Sequence, residues 1–140
     1  MQTPTRLWRP ASEADLLRAA ADGLLDEPAS GLEFKQRLEE GRTANKRFAA
    51  ELASLAVDGG RLVLGVVDPK HRDGQSPSNA LEAQRLIERI ESIARSIPDP
   101  PLPVSCTPLP STADPDLGYV VVDVHPSIDA PHFVDGKPYV

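Results

Sequence analysis

Three carboxylates and one lysine carry the clearest chemistry in this sequence: Glu27, Glu33, Asp68 and Lys35. Carboxylate oxygens are the ligands that Mg²⁺ and Mn²⁺ prefer, and a metal held by them can activate water against a phosphodiester. Lys35 is two residues after Glu33, so on a strand both share one face, where the lysine can stabilise charge on phosphate. The competing interpretation is that Glu33 and Lys35 form a surface ion pair worth about 0–1 kcal/mol and that Asp68 is a turn residue.

A strand–helix–strand unit is predicted to position these residues. The segment 32 to 35 alternates, which places Glu33 and Lys35 opposite Leu32 and Phe34. The apolar residues of the following segment recur at the spacing of a helix that lies on a sheet; they are Phe48, Leu52, Leu55 and Ala56. Next, residues 61 to 67 are almost all apolar and follow Asp-Gly-Gly, which predicts a strand buried on both faces at the centre of the sheet. Asp68 then lies where that strand ends.

The remainder of the chain predicts further elements on the same sheet. Ser12 and Asp15 have the spacing of a capping box, which favours a helix over residues 13 to 25. An exposed loop follows Asp68, and then a capping pattern at 79 to 82 opens a helix that Pro98 stops. Strands are expected at 103 to 109 and 119 to 124, and a hairpin around Asp135-Gly136. The predicted fold is α+β in the order α-β-α-β-α-β-β-β, a mixed sheet with helices packed on it.

Length and composition restrict the class of protein. The chain has 140 residues, the size of one compact domain. It has no apolar stretch of about 18 residues and no N-terminal signal pattern, which predicts a cytoplasmic protein without a membrane span. The single cysteine, Cys106, excludes an internal disulfide and is interpreted as an inert strand residue. No phosphate-binding glycine loop is present, so no nucleotide cofactor is expected.

The charge pattern bears on nucleic-acid binding. The net charge of −6 differs from the basic surplus that nonspecific nucleic-acid binders usually carry. Two local clusters are the candidates for phosphate contacts: Arg42, Lys46 and Arg47 in the first, Lys70 and Arg72 in the second. Basic runs this short are also typical of an ordinary solvated surface, and that alternative stays open.

The motifs in order resemble those of the Schlafen AlbA-like domain family, of the bacterial type also described as DNA-binding or divergent AAA domains. The resemblance covers residues 26 to 140 and leaves residues 1 to 25 as a lead-in and helix. The matching motifs are Gly31-Leu-Glu-Phe-Lys35, Asp58-Gly-Gly60, Leu64-Gly-Val-Val-Asp68, Pro98-Asp-Pro-Pro-Leu-Pro103, Tyr119-Val-Val-Val and Pro131-His-Phe-Val-Asp-Gly136.

The resemblance implies a function and a set of site residues. Schlafen nucleases cut tRNA and rRNA with two glutamates and an aspartate that hold a divalent metal. By motif, Glu33 and Asp68 match the second glutamate and the aspartate, and Glu33 lies in the Glu-Phe-Lys motif that also contains Lys35. The family places its first glutamate five residues before the second, where this chain has Pro28, so the neighbouring Glu27 is the candidate. The resemblance therefore implies an endoribonuclease that depends on Mg²⁺ or Mn²⁺.

Two other interpretations stay open at this point. Pro28 and the negative charge also fit a non-catalytic module that binds RNA, DNA or a protein in transcriptional regulation or defence. Schlafen cores pair two related lobes around a positive groove, so a one-lobe chain is expected to be a homo-oligomer, most simply a dimer. The predicted last strand runs to Val140, and an open strand there also fits a purely structural domain that pairs with another copy.

Overall fold

The central strand of the sheet is β2, Gly60–Leu64, whose Leu62, Val63 and Leu64 are completely buried. The computed structural model describes residues 8–24, 30–66 and 80–140. On one side β2 pairs in parallel with β1, Leu32–Lys35, and on the other it pairs antiparallel with β4, Gly118–Val124. The order is β1-β2-β4-β3, with β3, Ser105–Pro110, antiparallel to β4. The predicted central strand is confirmed, although its ladder ends at Leu64 rather than at Val67.

Three helices of the described chain cover the two faces of this sheet. The helices α2, Arg42–Asp58, and α3, Ala83–Ser96, lie on one face, and α1, Glu13–Ala21, lies on the other. The side chains of β2 alternate between the two cores, so that Leu62 and Leu64 pack with α2 and α3 while Val63 packs with α1. This alternation explains the uninterrupted apolar run in the sequence, because both faces of the strand are covered.

The last two strands form a separate hairpin against α2. They are β5, His132–Val134, and β6, Lys137–Tyr139. Asp135 and Gly136 both have positive φ, 53° and 75°, as a two-residue hairpin turn of the primed type requires. This confirms the turn that the sequence predicts. After α3 the described chain has the two predicted strands and the two strands of the predicted hairpin, one strand more than the order α-β-α-β-α-β-β-β counts, and its fold is mixed α+β.

The first helix ends earlier than the predicted residue 25. Leu24 N–H donates to the Ala19 carbonyl and Gly23 N–H to that of Ala20, at 2.9 and 3.2 Å. Gly23 has a φ of 76°, so these bonds form the helix-ending motif that favours glycine. The predicted cap at the start is confirmed, because Asp15 N–H donates to Ser12 Oγ. No helix in the described part of the chain is long and apolar enough to cross a membrane.

His132 attaches the hairpin to the rest of the domain. Its side chain is completely buried, with Nδ1 donating to the Pro100 carbonyl over 2.6 Å and Nε2 lying 2.7 Å from Ser127 Oγ. The backbone groups of Phe133 and Asp99 exchange two hydrogen bonds of 2.8 Å beside it. His132 is therefore a structural residue of this attachment.

Replacing His132 by leucine is expected to lower the free energy of unfolding by about 2 kcal/mol, because two buried hydrogen-bonding partners lose their contact. Urea denaturation of both proteins measures the difference. The matched control is His125→Leu, at an exposed position, which should change stability by no more than about 0.5 kcal/mol. Equal effects of the two substitutions would show that the buried contacts of His132 contribute nothing.

Glu13 connects α1 to β4 and to the loop that follows β3. Its carboxylate accepts hydrogen bonds from Thr112 Oγ1 and Tyr119 Oη, both at 2.7 Å, and from Thr112 N–H at 3.2 Å. The bonds from the Thr112 and Tyr119 side chains lower the pKa of Glu13 to about 2, from an ordinary value of 4.5.

Glu13→Gln is expected to destabilise the fold at pH 7 by about 1 kcal/mol, a value discounted because the carboxylate is partly exposed. The folded-state pKa is depressed, so this stabilisation is complete above pH 4.5 and is lost as the pH falls toward 2. Thermal unfolding of both proteins across that range tests the prediction. A difference that stays constant down to pH 2 would contradict it, and Glu88→Gln on the exposed side of α3 is the control.

Candidate functional site

Glu33 and Lys35 lie at the free edge of the sheet, on the face that α2 covers. In the parallel ladder Glu33 aligns with Leu62 and Lys35 with Leu64, both of which belong to the core under α2 and α3. Aligned residues of neighbouring strands point to the same face, so the two charged side chains point that way as well. Phe34 packs on the opposite core and stacks at a tilt against Trp8. The predicted alternation of β1 is therefore observed.

The partner of Lys35 is Glu51 on α2. Lys35 Nζ lies 2.9 Å from each carboxylate oxygen of Glu51, and both side chains are about 30% exposed. The ion pair predicted as the ordinary alternative, Glu33 with Lys35, is thus not the one that forms. One oxygen of Glu51 is buried and has no hydrogen bond of good geometry despite its short distance to the lysine.

Glu51 also acts on Glu33. Partial desolvation is the main cause that raises the pKa of Glu33, and the negative charge of Glu51 raises it further, while Lys35 lowers it. Two carboxylates and one ammonium group therefore share this rim of the sheet. Sequence reasoning missed Glu51, although a signal was present: it lies three residues after Phe48 and four before Leu55, inside the buried stripe of α2.

The backbone after β2 runs beside the end of β1. Gly65 N–H and Val66 N–H both donate to the Lys35 carbonyl, at 2.8 and 3.0 Å. Because β1 and β2 are parallel, their carboxyl ends lie at the same edge of the sheet, and the chain leads from there toward Asp68. Asp68 itself and Glu27 lie outside the described residues. Within residues 8–24, 30–66 and 80–140 no group of three metal-binding side chains is found.

Two carboxylates of the described rim are candidate ligands for a divalent cation. Glu33 and Glu51 supply hard oxygen donors. Their mutual repulsion, which contributes to the raised pKa of Glu33, is what a divalent cation relieves. The described residues therefore supply two of the oxygen ligands that Mg²⁺ or Mn²⁺ would need, and Lys35 is the cation that balances Glu51.

Three of the predicted phosphate-binding residues lie on the first half of α2. Arg42 is exposed at its start, and Lys46 and Arg47 line a surface depression of about 580 Å³ between α2 and the β5–β6 hairpin. Lys46 Nζ is 2.9 Å from Asp135 in the hairpin turn. Glu51 lines the same depression, which connects it to the rim with Glu33 and Lys35. Lys70 and Arg72 lie outside the described residues.

Cys106 takes no part in this chemistry. It is partly buried on β3, and burial raises the pKa of its thiol to about 12, with smaller contributions from the charges of Glu91 and Asp123. The thiol is therefore protonated at neutral pH and is a poor nucleophile. The interpretation of Cys106 as an inert residue agrees with this.

Comparison with known proteins leaves the family open. No family model matches the chain, and no curated protein does. The resemblance to Schlafen AlbA-like domains consequently stays a prediction from the motifs.

Replacing Glu33 by glutamine is expected to raise the free energy of unfolding at pH 7. A raised folded-state pKa means that the ionised carboxylate destabilises the fold above that pKa. The advantage of the variant should vanish as the pH falls below the ordinary value of 4.5. Thermal unfolding at several pH values measures it, with the exposed Glu40→Gln as control. Destabilisation at pH 7 would instead mean that Glu33 supports the fold through an ion pair.

Proposed function

We propose that this chain is a nucleic-acid-interacting domain of the Schlafen AlbA-like type and acts as a divalent-metal-dependent endoribonuclease on tRNA or rRNA. The observation that carries the proposal is the convergence of Glu33, Glu51 and Lys35 at one rim of the sheet, next to a depression with basic side chains. Glu33 itself is exposed, and the Lys35–Glu51 pair is partly exposed. Groups whose pKa is shifted by their surroundings cluster at functional sites.

In this proposal Glu33 and Asp68 hold the metal, Glu27 assists, and Lys35 contacts the phosphate. A bound Mg²⁺ or Mn²⁺ supplies Lewis-acid polarisation of the phosphodiester. Glu51 holds the Lys35 ammonium within 2.9 Å and so orients it at the rim. Glu51 also keeps negative charge beside Glu33, which favours the entry of a cation.

The proposal includes pairing of two copies and a cytoplasmic location. One lobe presents one rim and one depression, and two lobes build the groove that the resemblance implies. A sedimentation mass equal to one chain at working concentration would remove the dimer from the proposal.

A non-catalytic binding module is the second candidate, and a specific observation favours it. Lys35 is already paired with Glu51, so its charge is balanced without a ligand. Pro28 stands where the family has its first glutamate, and the net charge is −6. This version binds nucleic acid or protein in transcriptional regulation or defence.

Cleavage of a mixed tRNA pool tests the two candidates. With Mn²⁺ the wild type should yield discrete products, and with EDTA it should yield none. Glu33→Ala combined with Asp68→Ala should abolish cleavage while the far-UV circular dichroism stays unchanged, because the metal ligands and not the core are removed. Mn²⁺ should also raise the melting temperature of the wild type but not of the double variant.

The matched control combines Glu88→Ala with Asp116→Ala, which removes the same charge from exposed positions. Cleavage that survives in the Glu33/Asp68 variant would refute the assigned roles. Intact RNA together with salt-sensitive binding would favour the non-catalytic module.

A further inference from the structure

The depression between α2 and the β5–β6 hairpin has walls from both elements. Its walls combine charged groups and hydroxyl groups with an apolar area that is larger than the polar one. The helix contributes Thr43, Lys46, Arg47, Ala50, Glu51 and Ser54, and the hairpin contributes Val134, Asp135, Lys137 and Tyr139.

The charges in this depression leave a local positive excess. Asp135 is neutralised by Lys46 at 2.9 Å, and Glu51 by Lys35 at 2.9 Å. Arg47 and Lys137 form no ion pair with any residue in the part of the chain that the structure describes, and both are exposed. Two cations without an ion-pair partner among the described residues thus line one depression, in a chain whose net charge is −6.

Hydrogen-bond donors accompany these cations. The hydroxyl groups of Thr43, Ser54 and Tyr139 line the depression, and none bonds to another described residue. Arginine, lysine and hydroxyl side chains are the groups that contact phosphate and sugar oxygens in nucleic-acid complexes.

We propose that this depression binds the phosphodiester backbone of a nucleic-acid strand, with Arg47 and Lys137 as its phosphate contacts. The inference rests on the proposed function for the class of ligand. Its position is derived from the structure: Glu51 lies both in the wall of the depression and against Lys35, so a strand held here runs toward Glu33. The hairpin is thereby a substrate-binding element, a role that the sequence motifs do not assign to Lys137.

Fluorescence anisotropy with a short labelled RNA tests the site, with the full chain, across a series of salt concentrations. Arg47→Gln combined with Lys137→Gln should weaken binding about tenfold at low salt and reduce the salt slope by about 1.4, since each contact to a single strand contributes about 0.7. Arg18→Gln combined with Arg95→Gln removes the same charge from α1 and α3 and should leave both quantities near wild type. Melting temperatures verify that all variants are folded.

Each outcome decides the inference separately from the nuclease activity. Weaker binding by the Arg47/Lys137 variant, with normal binding by the Arg18/Arg95 variant, supports it even where no RNA is cleaved. The same measurement with DNA of equal sequence shows which nucleic acid the site takes. Equal losses in the control variant, or no RNA or DNA binding by the wild type, would overturn it. Binding of poly-glutamate that depends on Arg47 and Lys137, with RNA binding that does not, would overturn it in favour of an acidic protein partner.

Discussion

The burial of β2 on both faces is the constraint on which the rest of the structure depends. A strand covered on both sides needs two helical layers, and it needs hydrogen-bonding partners on both edges. Here β4 takes one edge and β1 the other, with α2 as the crossover between β1 and β2. The crossover makes β1 parallel and leaves it at the edge, where polar side chains are tolerated. The charged rim is thus a consequence of how the central strand is covered.

Glu33, Lys35 and Glu51 bring two carboxylates and one ammonium group together at this rim. Glu33 is partly desolvated beside a second carboxylate, and its pKa is raised as a result. Folded proteins generally keep such arrangements where chemistry requires them, because an uncharged side chain would be more stable there. The contrast with Glu13 is informative, since the same residue type there accepts three hydrogen bonds and has a pKa lowered to about 2. The hydrogen bonds of Glu13 stabilise the fold, whereas the position of Glu33 is set by the fold.

The hairpin forms one wall of the depression beside α2. Its attachment through His132 and through the bridge between Asp99 and Phe133 holds it against α2, and the depression forms between the two elements. A hairpin of two short strands is marginal by itself, so this packing is what gives Lys137 and Tyr139 a defined position. The unbalanced cations of the depression then lie close to the carboxylate rim through Glu51.

Much of the fold is predictable from local pattern. The alternation of residues 32 to 35, the apolar run of β2, the cap at Ser12 and the Asp135-Gly136 turn all indicate their structures directly, because each depends on neighbours in the chain. The end of α1 at Ala21 depends on backbone hydrogen bonds between residues several positions apart, so the local pattern places it less exactly. The same holds for the number of strands after α3.

The candidate site likewise has features that the sequence predicts and features that depend on tertiary contacts. The sequence by itself determined that Glu33 and Lys35 share one face, since a strand has a period of two. Only the tertiary structure decided that Lys35 pairs with Glu51 and that Arg47 and Lys137 line one depression. The first two residues are 16 positions apart in the chain and meet through the packing of α2 on the sheet. The other two are 90 positions apart and meet through the packing of the hairpin on α2.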